Sequence, residues 1–141
     1  MKGFTLIELL LVIAVVFIIS FLSVPFYARF FTQNAVANTV DQLVGEIRKA
    51  QIYAVSGKQN GSWGVHFGSN QIVLFQGNSY ASRNTAFDES FSVNSNVIVS
   101  GLSDVIFSRM TGTPSATPTI TISGNGNTKT VSINGQGVVS K

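Results

Sequence analysis

Residues 1–31 read MKGFTLIELLLVIAVVFIISFLSVPFYARFF. From Phe4 to Val24 this stretch is broken only by Thr5, Glu8, Ser20 and Ser23. As a helix it is long enough to cross the roughly 30 Å of hydrocarbon in a bilayer. Beyond residue 31 the chain turns rich in Ser, Thr, Asn and Gly. The two parts suit two solvents, which predicts one membrane helix and one water-facing domain. Lys2 before the span and Arg29 after it say little about orientation, so the long polar C-terminal part is the better guide.

An ordinary secretory signal has a shorter apolar stretch and a small-residue cleavage site after it. Neither is present. A carboxylate, Glu8, instead sits near the start of the span, where an ionised acid costs several kcal/mol unless a partner or a proton relieves it. Gly3, just before the apolar stretch, lacks a side chain and lets a protease approach the backbone closely. Pro25 removes a backbone donor, which either kinks the helix or ends its membrane part.

Past the bilayer, Val36, Val40, Leu43, Val44, Ile47, Ala50 and Ala54 recur at three- and four-residue steps, with Asp41, Glu46, Arg48 and Lys49 off that stripe. This predicts an amphipathic helix that ends near Ser56, with Gly57 as a cap. The period then changes to two. Trp63, Val65 and Phe67 alternate with Gly64 and His66, Gly68-Ser69-Asn70 turns, and Gln71 to Phe75 returns as the second strand of a hairpin. Further strands are predicted at 97–99, 105–107, 119–122 and 130–133, with 124–127 turning between the last two. Residues 77–90 and 111–118, the latter with Pro114 and Pro118, read as loops. The expected fold class is α+β: a long N-terminal helix packed on one antiparallel sheet.

With no cysteine, one histidine and a net charge of +3, the chain lacks the clustered ligands and bases of a metal enzyme or hydrolase. His66, on the strand face opposite Trp63 and Phe67, is expected to meet solvent or an interface. Asp88, Glu89 and Asp104 follow no cation-binding pattern and are expected to be solvated loop charges. Lys58, Arg83, Arg109, Lys129 and Lys141 are scattered, where DNA binding asks for grouped cations. No cofactor or metal is expected.

The run Lys2-Gly3-Phe4-Thr5-Leu6-Ile7-Glu8-Leu9-Leu10 resembles the N-terminal signal of type IV prepilins and pseudopilins. That resemblance implies cleavage between Gly3 and Phe4 by a prepilin peptidase and N-methylation of Phe4. It also implies that Glu8 pairs with the freed Phe4 amine of a neighbouring subunit, with Thr5 part of the same assembly motif. The order of the rest, with Leu43–Val55 as helix, Ile106–Gly112 as strand and turn, and Ile133–Gly137 as final hairpin, resembles the minor pseudopilin H and fimbrial T-like family. The implied organisation is a leader at 1–3, a transmembrane and filament-core helix at 4–27, an amphipathic helix at 28–57 and a β-rich head at 58–141. The implied role is a non-enzymatic structural subunit, minor by the head resemblance, of a type IV pilus or type II secretion pseudopilus. It would sit in the cytoplasmic membrane with its head outside, then in the filament. The implied partners are prepilin peptidase, other pilin or pseudopilin subunits, the inner-membrane assembly platform, and the lipid bilayer before assembly. A major pilin and a DNA-binding minor pilin for DNA uptake are the alternatives.

Overall fold

The computed structural model describes residues 3–102 and 104–141; for residues 22–26, 28 and 29 it describes the helical backbone and not the side chains. One helix, α1, runs from Leu6 to Val55. It ends where expected. Ser56 caps it through its N–H to the Ile52 carbonyl at 2.9 Å, and Gly57 follows at φ 65°, a left-handed turn that glycine adopts without strain. The Ala54 carbonyl accepts both the Gly57 N–H at 3.1 Å and the Met110 N–H at 2.9 Å, so the helix end is tied to the head. A short 3-10 turn, Lys58–Asn60, leads into the strands.

Eight strands follow: β1 Trp63–Gly68, β2 Gln71–Gln76, β3 Asn84–Ser92, β4 Ile98–Ser100, β5 Asp104–Phe107, β6 Thr119–Gly124, β7 Asn127–Ile133 and β8 Val139–Ser140. The fold is α+β and its strand pairs are antiparallel. The single sheet expected from the sequence is corrected to two four-stranded sheets, ordered β3-β2-β1-β5 and β4-β6-β7-β8. The chain leaves the first sheet to place β4 beside β6, then returns to place β5 beside β1. Period-two alternation reports that a segment is a strand and says nothing of its partner, so this crossing left no mark in the pattern.

The loop expected over 77–90 is also corrected, because β3 begins at Asn84. Its residues, Asn84-Thr85-Ala86-Phe87-Asp88-Glu89-Ser90-Phe91-Ser92, are mostly polar because β3 is the outer strand of its sheet. Of these, Phe87 packs against the core.

The seven stripe residues of α1 are all buried and pack with Trp63, Val65, Ile72, Leu74, Phe107, Ile120, Ile122 and Val131 in one core shared by both sheets. Glu46, expected off the stripe among the polar residues, is corrected: it flanks the apolar face and is only 8% exposed. On β2, Val73 and Phe75 are buried on the face away from the helix, beneath Tyr80, whose ring meets Phe75 edge-on at 5.6 Å. The segment before β3 thus folds back as a cover.

Candidate functional site

Helix formation at the N-terminus is set by Thr5, which stands outside the helix at φ −79°, ψ 153° and accepts the Glu8 N–H on its hydroxyl at 3.3 Å. Thr5-Leu6-Ile7-Glu8 is the Ser/Thr-x-x-Glu capping pattern, and a carboxylate in the first turn also suits the positive end of the helix dipole. The sequence reading used both residues for assembly and missed this local role, although the spacing announced it. Gly3 and Phe4 lie before the helix in non-helical backbone. Phe4 is 80% exposed, and among the described residues nothing beyond its chain neighbours comes within 4 Å of where a Cβ on Gly3 would stand. The Gly3–Phe4 peptide bond is therefore sterically accessible. Glu8 is exposed and, among the described residues, makes no ion pair. At Pro25, where the sequence predicts a kink or the end of the membrane part, the helical backbone of α1 continues from Leu6 to Val55.

From Leu6 to Phe21 the large apolar side chains of α1 are exposed around the whole helix, and Tyr27, Phe30 and Phe31 continue the exposure with rings 6.2 to 6.3 Å apart. An exposed apolar surface of this extent far exceeds what a free monomer carries in water, a few hundred Å². Ser20, one of the few polar groups here, bonds back to the Val16 carbonyl at 2.8 Å and so presents little polarity outward. Among the described residues no helix is long and apolar enough to cross a membrane. The apolar stretch itself continues beyond Phe21 into residues 22–26, whose side chains are not described.

The polar groups of the head pair among themselves. His66, expected to face solvent or an interface, is outside the helix-side core and partly exposed, and it has partners the sequence did not show: its Nδ1 lies 2.6 Å from Asp104, its cross-strand neighbour, and its ring stacks on Tyr80 at 3.6 Å. Arg83 covers the same Tyr80 ring at 3.8 Å and donates to Asp88 at 2.7 Å. Asp88, Glu89 and Asp104 are therefore not solvated loop charges; each lies in a strand and holds a cation or a histidine. The Asp88 bond holds the Arg83 guanidinium above its usual range. Lys49 of α1 donates to Glu89, which raises the lysine's pKa. Burial pushes the Glu46 carboxyl up; Glu89 adds to this and Lys49 opposes it. Among the described residues no three His, Cys, Asp or Glu side chains gather to hold a metal.

No protein-family model, curated protein or solved structure matches the chain.

Proposed function

We propose that the chain is a pilin-like structural subunit, trimmed at Gly3–Phe4 and assembled into a filament through its N-terminal helix. The observation that carries this reading is the division of α1 within one continuous helix. Its C-terminal half is buried along one stripe against the head, and its N-terminal half offers apolar side chains on every side. Val, Ile and Phe are middling helix formers in water. In hydrocarbon the backbone must satisfy its own hydrogen bonds, and the same residues then favour a helix. Each Leu, Ile, Val or Phe taken from water gains about 1.5–3 kcal/mol, so such a rod belongs in lipid or against other rods.

The open surroundings of Gly3 support cleavage there, and Phe4, ahead of the first helical turn, becomes a free amine after cleavage. Glu8 is the natural counter-charge. Thr5 and the first helical turn separate the two, so an axial offset between neighbours brings the amine of one to the carboxylate of the next. On this reading the subunit waits in the cytoplasmic membrane with its head outside, and the apolar helices exchange lipid for one another on assembly. A minor position in a pilus or pseudopilus rests on the head resemblance. DNA binding is less favoured, since Lys49, Arg83 and Lys141 are engaged in ion pairs.

The test is Glu8→Ala expressed beside the wild-type chain. The variant is expected to insert and be processed as the wild type is, and to be depleted from sheared filaments. Incorporation at the wild-type level would refute the pairing role.

A further inference from the structure

Just past the end of α1, Gln59 and Asn60, with φ of 53° and 55°, turn the chain toward β1. Neither is glycine, so both left-handed conformations are costly and persist only where neighbours hold them. The Trp63 indole N–H donates to the Lys58 carbonyl at 3.0 Å, and the Asn60 N–H donates to the Gly57 carbonyl at 2.9 Å. The Ser62 carbonyl accepts the Gly77 N–H at 2.9 Å, which joins this turn to the connection between β2 and β3. Between the two segments lies an open pocket of about 360 Å³. Small-molecule sites fall in the range of roughly 300–1,000 Å³.

The side chains that line it are Asn60, Ser62, Gln76, Asn78, Ser82 and Asn84, and among the described residues none is charged or large and apolar. The backbones of Gly61 and Gly77 complete the lining. At Gly61 the missing side chain makes room for the Gln76 amide, because a Cβ there would collide with Gln76 Nε2. Gln76 is half-buried, yet among the described residues its amide makes no hydrogen bond, and neither do the amides of Asn60 and Asn78. The cations beside the pocket in sequence are engaged elsewhere. Lys58 lies over the Tyr53 ring at 3.5 Å, and Arg83 donates to Asp88 at 2.7 Å and to the Tyr80 carbonyl at 2.8 Å.

We propose that this pocket binds a neutral saccharide. Each side-chain amide offers a carbonyl oxygen and N–H donors side by side, so it accepts from one hydroxyl and donates to another. Adjacent hydroxyls on a sugar ring present that pair. An anion would meet no cation in the lining, and an apolar ligand no large apolar side chain. The Gln76 amide is placed by packing with its hydrogen bonds unspent, and a group already in position loses less freedom when a ligand arrives. The site stands where β2 ends at Gln76, at the opposite end of that strand from the Ser69-Asn70 turn. On the filament reading this end of the head points away from the membrane and the helix bundle. The inference goes beyond that reading and needs neither Glu8 nor cleavage.

The test uses the full-length, isotope-labelled chain in phosphocholine detergent micelles, because maltoside and glucoside detergents carry the ligand's own chemistry. The probes are the methyl glycosides of glucose, galactose and mannose, and N,N′-diacetylchitobiose, titrated into the tens of millimolar, the range of a weak single-sugar site. At least one probe is expected to shift the side-chain amide signals of Asn60, Gln76 and Asn78 along saturable curves in nitrogen–proton correlation spectra. Gln76→Ala and Asn78→Ala are each expected to weaken that binding about fivefold, the loss of one hydrogen bond. Where the near-ultraviolet circular dichroism of Trp63 is altered in one variant, the other decides. Asn125→Ala, in the amide-rich turn between β6 and β7, is expected to bind as the wild type does. No saturable shift from any probe would overturn the proposal. So would unchanged affinity in the two pocket variants, or equal shifts from inorganic phosphate or from N-acetylglycine methylamide, which would mark an anion site or a peptide site.

Discussion

Replacing Glu46 by Gln should stabilise the head at neutral pH. Glu46 is 8% exposed and its Oε2 is buried without a hydrogen-bond partner among the described residues, while Lys49, the cation that acts on it, is bonded to Glu89. Leaving a buried polar atom unsatisfied costs about 1–3 kcal/mol, more when it is charged. Glutamine keeps the shape and removes the charge but still has an amide to satisfy, so the gain is placed at the low end, about 1 kcal/mol. For a head of this size that corresponds to a rise in Tm of about 4–8 °C. The pH dependence follows from the raised pKa. Below its unfolded value of 4.5 the carboxyl is neutral in both states and folding is unpenalised; as pH rises through the higher folded value, folding opposes ionisation and stability falls. The advantage of Glu46→Gln should therefore be full near pH 7 and fade near pH 4. Trp63, 1% exposed and edge-on to Tyr53 at 4.9 Å, gives a near-ultraviolet signal that follows head unfolding in detergent. Equal melting of variant and wild type near neutral pH, or an advantage that grows on acidification, would refute the reasoning.

Ile47→Ala, at a fully buried stripe position of α1, should cost about 2–5 kcal/mol and markedly lower the same melting transition while leaving membrane insertion unchanged. Gly101→Ala should also destabilise the head, by about 1–2 kcal/mol or more. Gly101 has φ 82°, and an added Cβ would lie 2.4 Å from the Thr119 carbonyl oxygen, so a wild-type melting curve would count against the close approach of the two segments.

Much of this architecture is written in periodicities. The stripe from Val36 to Ala54 marks the buried face of α1, and the change of period after Gly57 marks the start of the strands. What stayed hidden is what period cannot encode. Strand β3 is polar because its outer side is free, and it therefore resembled a loop; the division into two sheets depends on which strands meet across the core. The charged residues were hardest to place. Asp88, Glu89 and Asp104 have partners 5, 40 and 38 positions away, so the two cross-fold pairs left no local spacing to recognise. Glu46 was misplaced for a related reason. It flanks the apolar stripe, and its burial depends on the tertiary packing of the head, which helical period does not report. At the N-terminus the motif residues were legible, and the capping bond of Thr5 was there to be read in the same four letters.

The central claim is that the chain is cut before Phe4 so that its apolar rod can leave lipid for a filament. Mass spectrometry of the N-terminal peptide, taken from native-host membranes and from sheared surface material, addresses it most directly. The expected result is a chain beginning at Phe4 with one added methyl group, present in both fractions. A chain that still begins at Met1, and that appears in no fibre fraction, would contradict the account.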